Sequence, residues 1–178
     1  MQTINQKSSF VTVLAWIFIA LSGFGTLIGI LQCVMIMTVF NTPEMSQAMQ
    51  APAPPGSPAF AVFMMKHMVA FFVAVLAVNM LTLASSIGLL LRHEWARRVF
   101  IGVLTLGIAW NIAGLALQVP MLSNMRAQFA SMPGAPDMGA FFVAILVVSC
   151  VFALGFSVLF GWIIKRLVSQ PIVAEFAR

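Results

Sequence analysis

Four long apolar stretches constrain this chain more than any other feature of its sequence. They cover residues 10–40, 60–91, 99–118 and 139–164, and a helix needs about 20 residues to cross the hydrocarbon core of a bilayer. Because that core offers no hydrogen-bonding solvent, such segments cross it as helices. We therefore predict one all-α domain over residues 1–178, an integral membrane bundle of four transmembrane helices.

The composition excludes several classes of protein. Hydrophobic residues make up 62% of the chain and charged residues 7%, whereas soluble domains average about 45–50% apolar and about 25% charged residues. The nine Lys and Arg residues are too few and too scattered for a nucleic-acid surface. Both cysteines lie inside apolar stretches, so they do not indicate a disulfide scaffold.

The basic residues predict the orientation of the chain in the membrane. One side carries seven of them, namely Lys7, Arg92, Arg97, Arg98, Lys165, Arg166 and Arg178, and the other side carries Lys66 and Arg126. The positive-inside rule then places both termini and the short loop 92–98 in the cytoplasm, and loops 41–59 and 119–138 outside. The small size and short loops favour a bacterial inner membrane.

The two halves of the chain resemble each other in their loops. Residues 55–58 read Pro-Gly-Ser-Pro before the second stretch, and residues 133–136 read Pro-Gly-Ala-Pro before the fourth. Two helical hairpins of the same orientation would form a parallel internal repeat. The alternative to a repeat is that the two loops acquired similar Pro/Gly sequences independently.

Small and polar residues recur at helical spacing within every stretch, so they form a stripe along one face of each predicted helix. We predict that the stripes of the four helices face one another. Close backbone approach and interhelical hydrogen bonds hold membrane helices together. Asn79 and Asn111 lie at similar depth, near the bilayer midplane, so we predict a hydrogen bond between them; a polar lining for a solute path is the alternative. The residues of this polar layer are Ser22, Gly25, Gly29, Gln32, Asn79, Thr82, Ser86, Gly107, Asn111, Gly114, Gln118, Cys150, Ser157 and Gly161.

Methionines concentrate on the predicted outward side. Thioethers select Cu(I), and the segment Met64, Met65, His67 and Met68 adds an imidazole. Flexible methionines also fill irregular packing or form adaptable surfaces. We favour packing, because Lys66 within the same segment would repel a cation. Cu(I) handling remains an alternative, and no other cofactor is expected.

Nothing in the sequence indicates an enzyme. The carboxylates Glu44, Glu94, Asp137 and Glu175 all lie outside the predicted spans, whereas proton relays use intramembrane acids or histidines. The sequence has no paired-carboxylate site, no Ser/His/Asp set at one depth and no phosphate-binding loop.

The predicted inner loop is basic and aromatic. We expect contacts with lipid headgroups from Arg92, Trp95, Arg97, Arg98, Lys165 and Arg166. The run from Gly88 to Arg98, Gly-Leu-Leu-Leu-Arg-His-Glu-Trp-Ala-Arg-Arg, resembles the short inner loop of small uncharacterised bacterial four-helix inner-membrane proteins. This resemblance implies an inner-membrane setting and no particular activity.

These observations predict a non-enzymatic interaction or assembly subunit. The apolar segments 31–40 and 60–70 extend beyond the thickness of a bilayer, and Gly25-x-x-x-Gly29 is a helix-association motif. The subunit would bind another membrane protein or a second copy through its helix faces and a Met/Pro-rich outward cap. Binding or passage of a small apolar solute or lipid within the bundle is the alternative; membrane lipids are expected partners and nucleic acids are not.

Overall fold

The structure is a computed structural model that describes residues 8–40, 42, 59–131 and 138–176. These residues form helices and no strand: α1 (Ser9–Phe40), α2 (Ala59–Lys66), α3 (Met68–Leu90), α4 (Glu94–Ala130), α5 (Gly139–Leu167) and α6 (Gln170–Phe176). The helices α1, α3, α4 and α5 are long and apolar enough to cross a membrane. The predicted all-α fold class with four membrane-spanning helices is confirmed.

The second predicted stretch is interrupted at His67. Helix α2 ends at Lys66 and α3 begins at Met68. The amide of His67 nevertheless donates to the carbonyl of Phe63 at 3.0 Å, and the amide of Phe71 donates to the carbonyl of His67 at 2.9 Å. The backbone ladder therefore continues through a local distortion.

The third helix extends beyond both predicted ends, since α4 covers residues that we assigned to the loops 92–98 and 119–138. At its start, Glu94 lies in the first turn, where a negative charge favours the helix dipole, and pairs with Arg98 one turn later. At the other end, Pro120 lies inside the helix instead of terminating it. Most of loop 41–59 and residues 132–137 of the other outward loop lie outside the described residues.

The turn between α3 and α4 is closed by a Schellman motif. The amide of Arg92 donates to the carbonyl of Leu89 at 3.1 Å, and that of His93 donates to the carbonyl of Gly88 at 2.9 Å. The motif needs a left-handed residue, and Arg92 supplies it with a φ of 61°. Glycine usually takes this position, because a side chain there is strained.

The chain divides into two compact units, and the single domain over residues 1–178 remains a prediction. Unit 1 comprises Met1–Phe100 and Glu175–Arg178, and unit 2 comprises Ile101–Ala174. In unit 1, α1 packs along α3. A Cβ atom on Gly25 would lie 2.8 Å from Oδ1 of Asn79, and one on Gly29 would lie 3.0 Å from Cδ1 of Leu76. The Gly25-x-x-x-Gly29 motif is therefore used inside the chain, in the packing of these two helices.

In unit 2, α4 packs against α5. A Cβ atom on Gly107 would lie 3.0 Å from Cε2 of Phe160, so the missing side chain lets that ring approach the backbone of α4. Further along, the rings of Phe129 and Phe142 lie 6.0 Å apart. The two contacts bracket the middle of α4, where the helices leave room between them.

Candidate binding groove

A groove of about 300 Å³ lies between α4 and α5 in unit 2. This volume is at the lower end of the range for small-molecule sites, which is roughly 300–1,000 Å³. The residues that line the groove are Trp110, Asn111, Gly114, Leu115, Gln118, Ser149, Phe152, Ala153 and Phe156. None of the nine is ionisable, so the groove is uncharged at every pH.

The lining follows one face of each helix. On α4 it runs 111, 114, 115 and 118, and on α5 it runs 149, 152, 153 and 156, the i, i+3, i+4, i+7 spacing of a single helical face. Gly114 and Ala153 contribute little side-chain volume, and a Cβ atom on Gly114 would meet nothing within 4 Å. These two small residues lie between larger residues on the facing sides of α4 and α5, and the space that they leave forms the groove.

Two polar side chains from different helices meet within the lining. Nε2 of Gln118 donates to Oγ of Ser149 at 2.8 Å. Such bonds between membrane helices contribute about 0.6 kcal/mol on average and up to about 2 kcal/mol. This contact joins α4 to α5 and determines one end of the groove.

Asn111 differs from these two residues because its carboxamide has no hydrogen-bond partner among the described residues of unit 2. It lies in the middle of the 37-residue helix α4 and lines the groove. Asn111 is half-buried, and an amide without a partner is costly in the hydrocarbon core, which supplies no water to satisfy it. The groove therefore contains an amide group available to a ligand.

The stripe that we predicted on α4 includes three residues of the groove, Asn111, Gly114 and Gln118, but the stripe predicted on α5 does not face it. Gly161 is exposed, and a Cβ atom there would meet nothing within 4 Å. Cys150 and Ser157 are half-buried, and neither lines the groove. The groove uses the preceding face, which begins at Ser149. Three aromatic residues that the sequence did not predict, Trp110, Phe152 and Phe156, form the walls of the groove.

Three hydroxyl groups of the polar layer in unit 1 donate to carbonyls of their own helices. The hydroxyl of Ser22, which is 4% exposed, donates to the carbonyl of Phe18 on its own helix. Those of Thr82 and Ser86 donate to the carbonyls of Val78 and Thr82, respectively, both at 2.7 Å. Gln32, another member of this layer, is half-buried.

Asn79 belongs to unit 1 and Asn111 to unit 2. Nδ2 of Asn79 donates to the carbonyl of Val75 at 3.1 Å, while its Oδ1 lies against Gly25. The hydrogen bond that we predict between Asn79 and Asn111 remains a prediction.

The residues predicted to contact headgroups occupy different environments. The side chain of Arg92 is 14% exposed and pairs with Glu175, and that of Arg97 is 11% exposed. Arg98 is exposed and pairs with Glu94, while Lys165 and Arg166 are exposed. Trp95 is half exposed, and its ring packs over Gly88. A headgroup that reached Arg92 would have to compete with Glu175.

The candidate metal ligands of the methionine segment lie in different environments. Met64 and Met68 are half-buried, and the ring of His67 packs on that of Phe63 with 4.6 Å between centroids. The side chain of Met65 lies outside what the structure describes. Within the described residues, no group of three or more His, Cys, Asp or Glu side chains could hold a metal ion.

No family model, no curated protein and no solved structure matches this chain. Its function must therefore be inferred from the chemistry of the groove. The lining combines aromatic and aliphatic walls with an amide that has no partner in unit 2, and it contains no acid or base. Such a lining can bind a neutral amphiphile, and it offers no group for general acid–base catalysis.

Proposed function

We propose that this protein is a non-enzymatic, multi-pass membrane protein that binds a neutral, lipid-like molecule in the groove between α4 and α5. The observation that carries the proposal is the carboxamide of Asn111, which lines the groove and has no partner within unit 2. A ligand hydroxyl, ester or amide would satisfy that group, and the gain is large because hydrocarbon offers no substitute.

The walls of the groove indicate that most of this ligand is apolar. Trp110, Phe152 and Phe156 present aromatic surface, and Leu115 adds aliphatic surface. A charged ligand is disfavoured, because no lining residue carries an opposite charge and an unpaired ion is costly in a low dielectric. The ligand class that fits is therefore a neutral molecule with a long apolar part and one hydrogen-bonding group.

The test uses photolabelling in nanodiscs with diacylglycerol that carries a diazirine in one acyl chain. We expect labelling to concentrate on peptides containing residues 110–118 and 149–156. The variant Asn111→Leu should lower labelling of these peptides about 3- to 10-fold, the equivalent of a membrane hydrogen bond of about 0.6–1.4 kcal/mol.

The matched control is Thr105→Val. It also removes a polar group from α4, but the hydroxyl of Thr105 donates to the carbonyl of Ile101 on its own helix at 2.9 Å and lies outside the groove. Labelling should stay at the wild-type level in this variant. The proposal is refuted if labelling spreads evenly over the exposed apolar residues, or if Asn111→Leu labels as strongly as the wild type.

A second candidate function, assembly with another membrane protein or with a second copy, is supported by the length of the helices. Helix α1 has 32 residues and α4 has 37, which at 1.5 Å per residue is about 48 and about 56 Å. A bilayer core is about 30 Å thick, and α1 remains apolar and exposed late in its course, at Leu31 and Met35. A partner could cover this surface. Native mass spectrometry from nanodiscs should then show a complex, and a bare monomer would refute assembly.

We also propose a bacterial inner-membrane location with both termini in the cytoplasm. The distribution of basic residues supports this orientation, because seven of the nine fall on one predicted side. Two further proposals concern the outward side: a Met/Pro-rich cap that binds a partner, and a Cu(I) role for its methionines. Lys66 ends α2 and is exposed beside the candidate ligands, which disfavours a bound cation.

A further inference from the structure

The last described residues of the chain dock on the end of unit 1 that carries the start of α1 and the α3–α4 turn. Both carboxylate oxygens of Glu175 accept from the backbone amide of Ser8 at 3.2 Å. Oε2 of Glu175 also lies 3.1 Å from Nη1 of Arg92. Next to it, the ring of Phe176 is 3% exposed. The carboxylate and the ring thus contact elements that are far away in the sequence.

Arg92 is the centre of this contact. Its Nη2 donates to the carbonyl of Ser8 at 3.0 Å and to Oγ1 of Thr12 at 3.2 Å. Its guanidinium also lies 5.8 Å from the centre of the Phe176 ring, within the range of a cation–π interaction. One side chain therefore links α1, the α3–α4 turn and the C-terminal residues.

The order of α6 depends on these tertiary contacts. The helix has seven residues, and isolated helices of that length are marginal in water. Residues at the end of a chain are ordered only where contacts tie them down. Loss of the contacts made by Glu175 and Phe176 therefore frees the helix.

We infer that Glu175 and Phe176 form a reversible clasp. When docked, the clasp contacts the start of α1 and the α3–α4 turn. When released, it leaves the guanidinium of Arg92 without its counter-charge. Helix α6 ends at Phe176 and carries both residues of the clasp, so docking and release of the clasp move this helix. Release breaks the contacts with Ser8 and Arg92 together, because the same carboxylate makes both. The Schellman motif of the turn is made by backbone groups and survives release.

The test measures hydrogen–deuterium exchange of the full-length chain in nanodiscs. In Glu175→Gln we expect amides of residues 170–176 to exchange about tenfold faster than in the wild type, since removing one partner of a largely buried ion pair leaves the other uncompensated. Glu94→Gln is the matched control: it removes the carboxylate of an exposed pair and should leave the exchange of residues 170–176 unchanged.

A second variant separates the clasp from general loosening of unit 1. Arg92→Gly keeps a residue suited to the left-handed position but lacks the guanidinium. Residues 170–176 should again exchange about tenfold faster, while the amide of His93 keeps its protection through the carbonyl of Gly88. The inference is overturned if Glu175→Gln exchanges like the wild type, if residues 170–176 are unprotected in the wild type, or if His93 loses protection in Arg92→Gly.

Discussion

Replacing Gly25 by alanine tests the packing of α1 on α3 directly. The new Cβ atom would lie 2.8 Å from Oδ1 of Asn79 and 3.3 Å from its Cγ. Real Cβ atoms do not approach an oxygen that closely, so the side chain of Asn79 must move or the helices must separate. Movement of Asn79 threatens the bond from its Nδ2 to the carbonyl of Val75. Overpacking of this kind costs about 1–3 kcal/mol.

A neighbouring glycine provides the control that isolates this cost. Gly23 lies on the same helix, and a Cβ atom there would meet nothing within 4 Å. Gly→Ala substitution in a helix is favourable by up to about 1 kcal/mol, and this gain is common to Gly23→Ala and Gly25→Ala. The gain cancels in the comparison, so Gly25→Ala should be less stable than Gly23→Ala by about 1–3 kcal/mol.

The assay is reversible unfolding in mixed micelles, followed by tryptophan fluorescence. Thermal melts provide a second readout, with a shift of about 2–4 °C for each kcal/mol in a chain of this size. Adding Asn79→Ala to Gly25→Ala should recover part of the loss, because the oxygen that the new methyl group contacts is then absent. Equal stability of the two alanine variants would refute the helix contact.

Two further predictions concern the groove and the orientation of the chain. Gln118→Leu and Ser149→Ala should each destabilise the protein, with a coupling free energy of about 0.6 kcal/mol in a double-mutant cycle; additive effects would contradict the 2.8 Å bond between these side chains. A single cysteine in Lys66→Cys, with the native cysteines replaced by serine, should react with a membrane-impermeant maleimide in intact cells. Reaction only after permeabilisation would reverse the proposed topology.

The helix termini show where reading the sequence locally succeeds and where it fails. The start of α1 was placed within one residue, because a long apolar run begins there. The end of α4 was placed too early, at residue 118, where the apolar stretch ends, whereas the helix continues through Pro120 to Ala130. Proline removes one backbone hydrogen bond of a helix and crowds the carbonyl four residues earlier, yet α4 continues for ten residues beyond it.

The sequence by itself determined the all-α class and the number of membrane-spanning helices, because a bilayer core forces long apolar segments to satisfy their backbone groups internally. It also located Asn111, Gly114 and Gln118 on one face of α4, since polar residues stand out in an apolar helix. On α5 polar residues are few, and the groove-lining face begins at Ser149, one residue and about 100° around the helix from the predicted stripe at Cys150.

Only the tertiary structure decided which groups meet. Glu175 and Arg92 are brought together by the return of the chain to unit 1, and no local pattern encodes a contact between residues so far apart. The same holds for Gly25 and Asn79, and for Gln118 and Ser149. A helix that is apolar on every side does not reveal which face is buried against protein and which against lipid, because both environments have the same polarity.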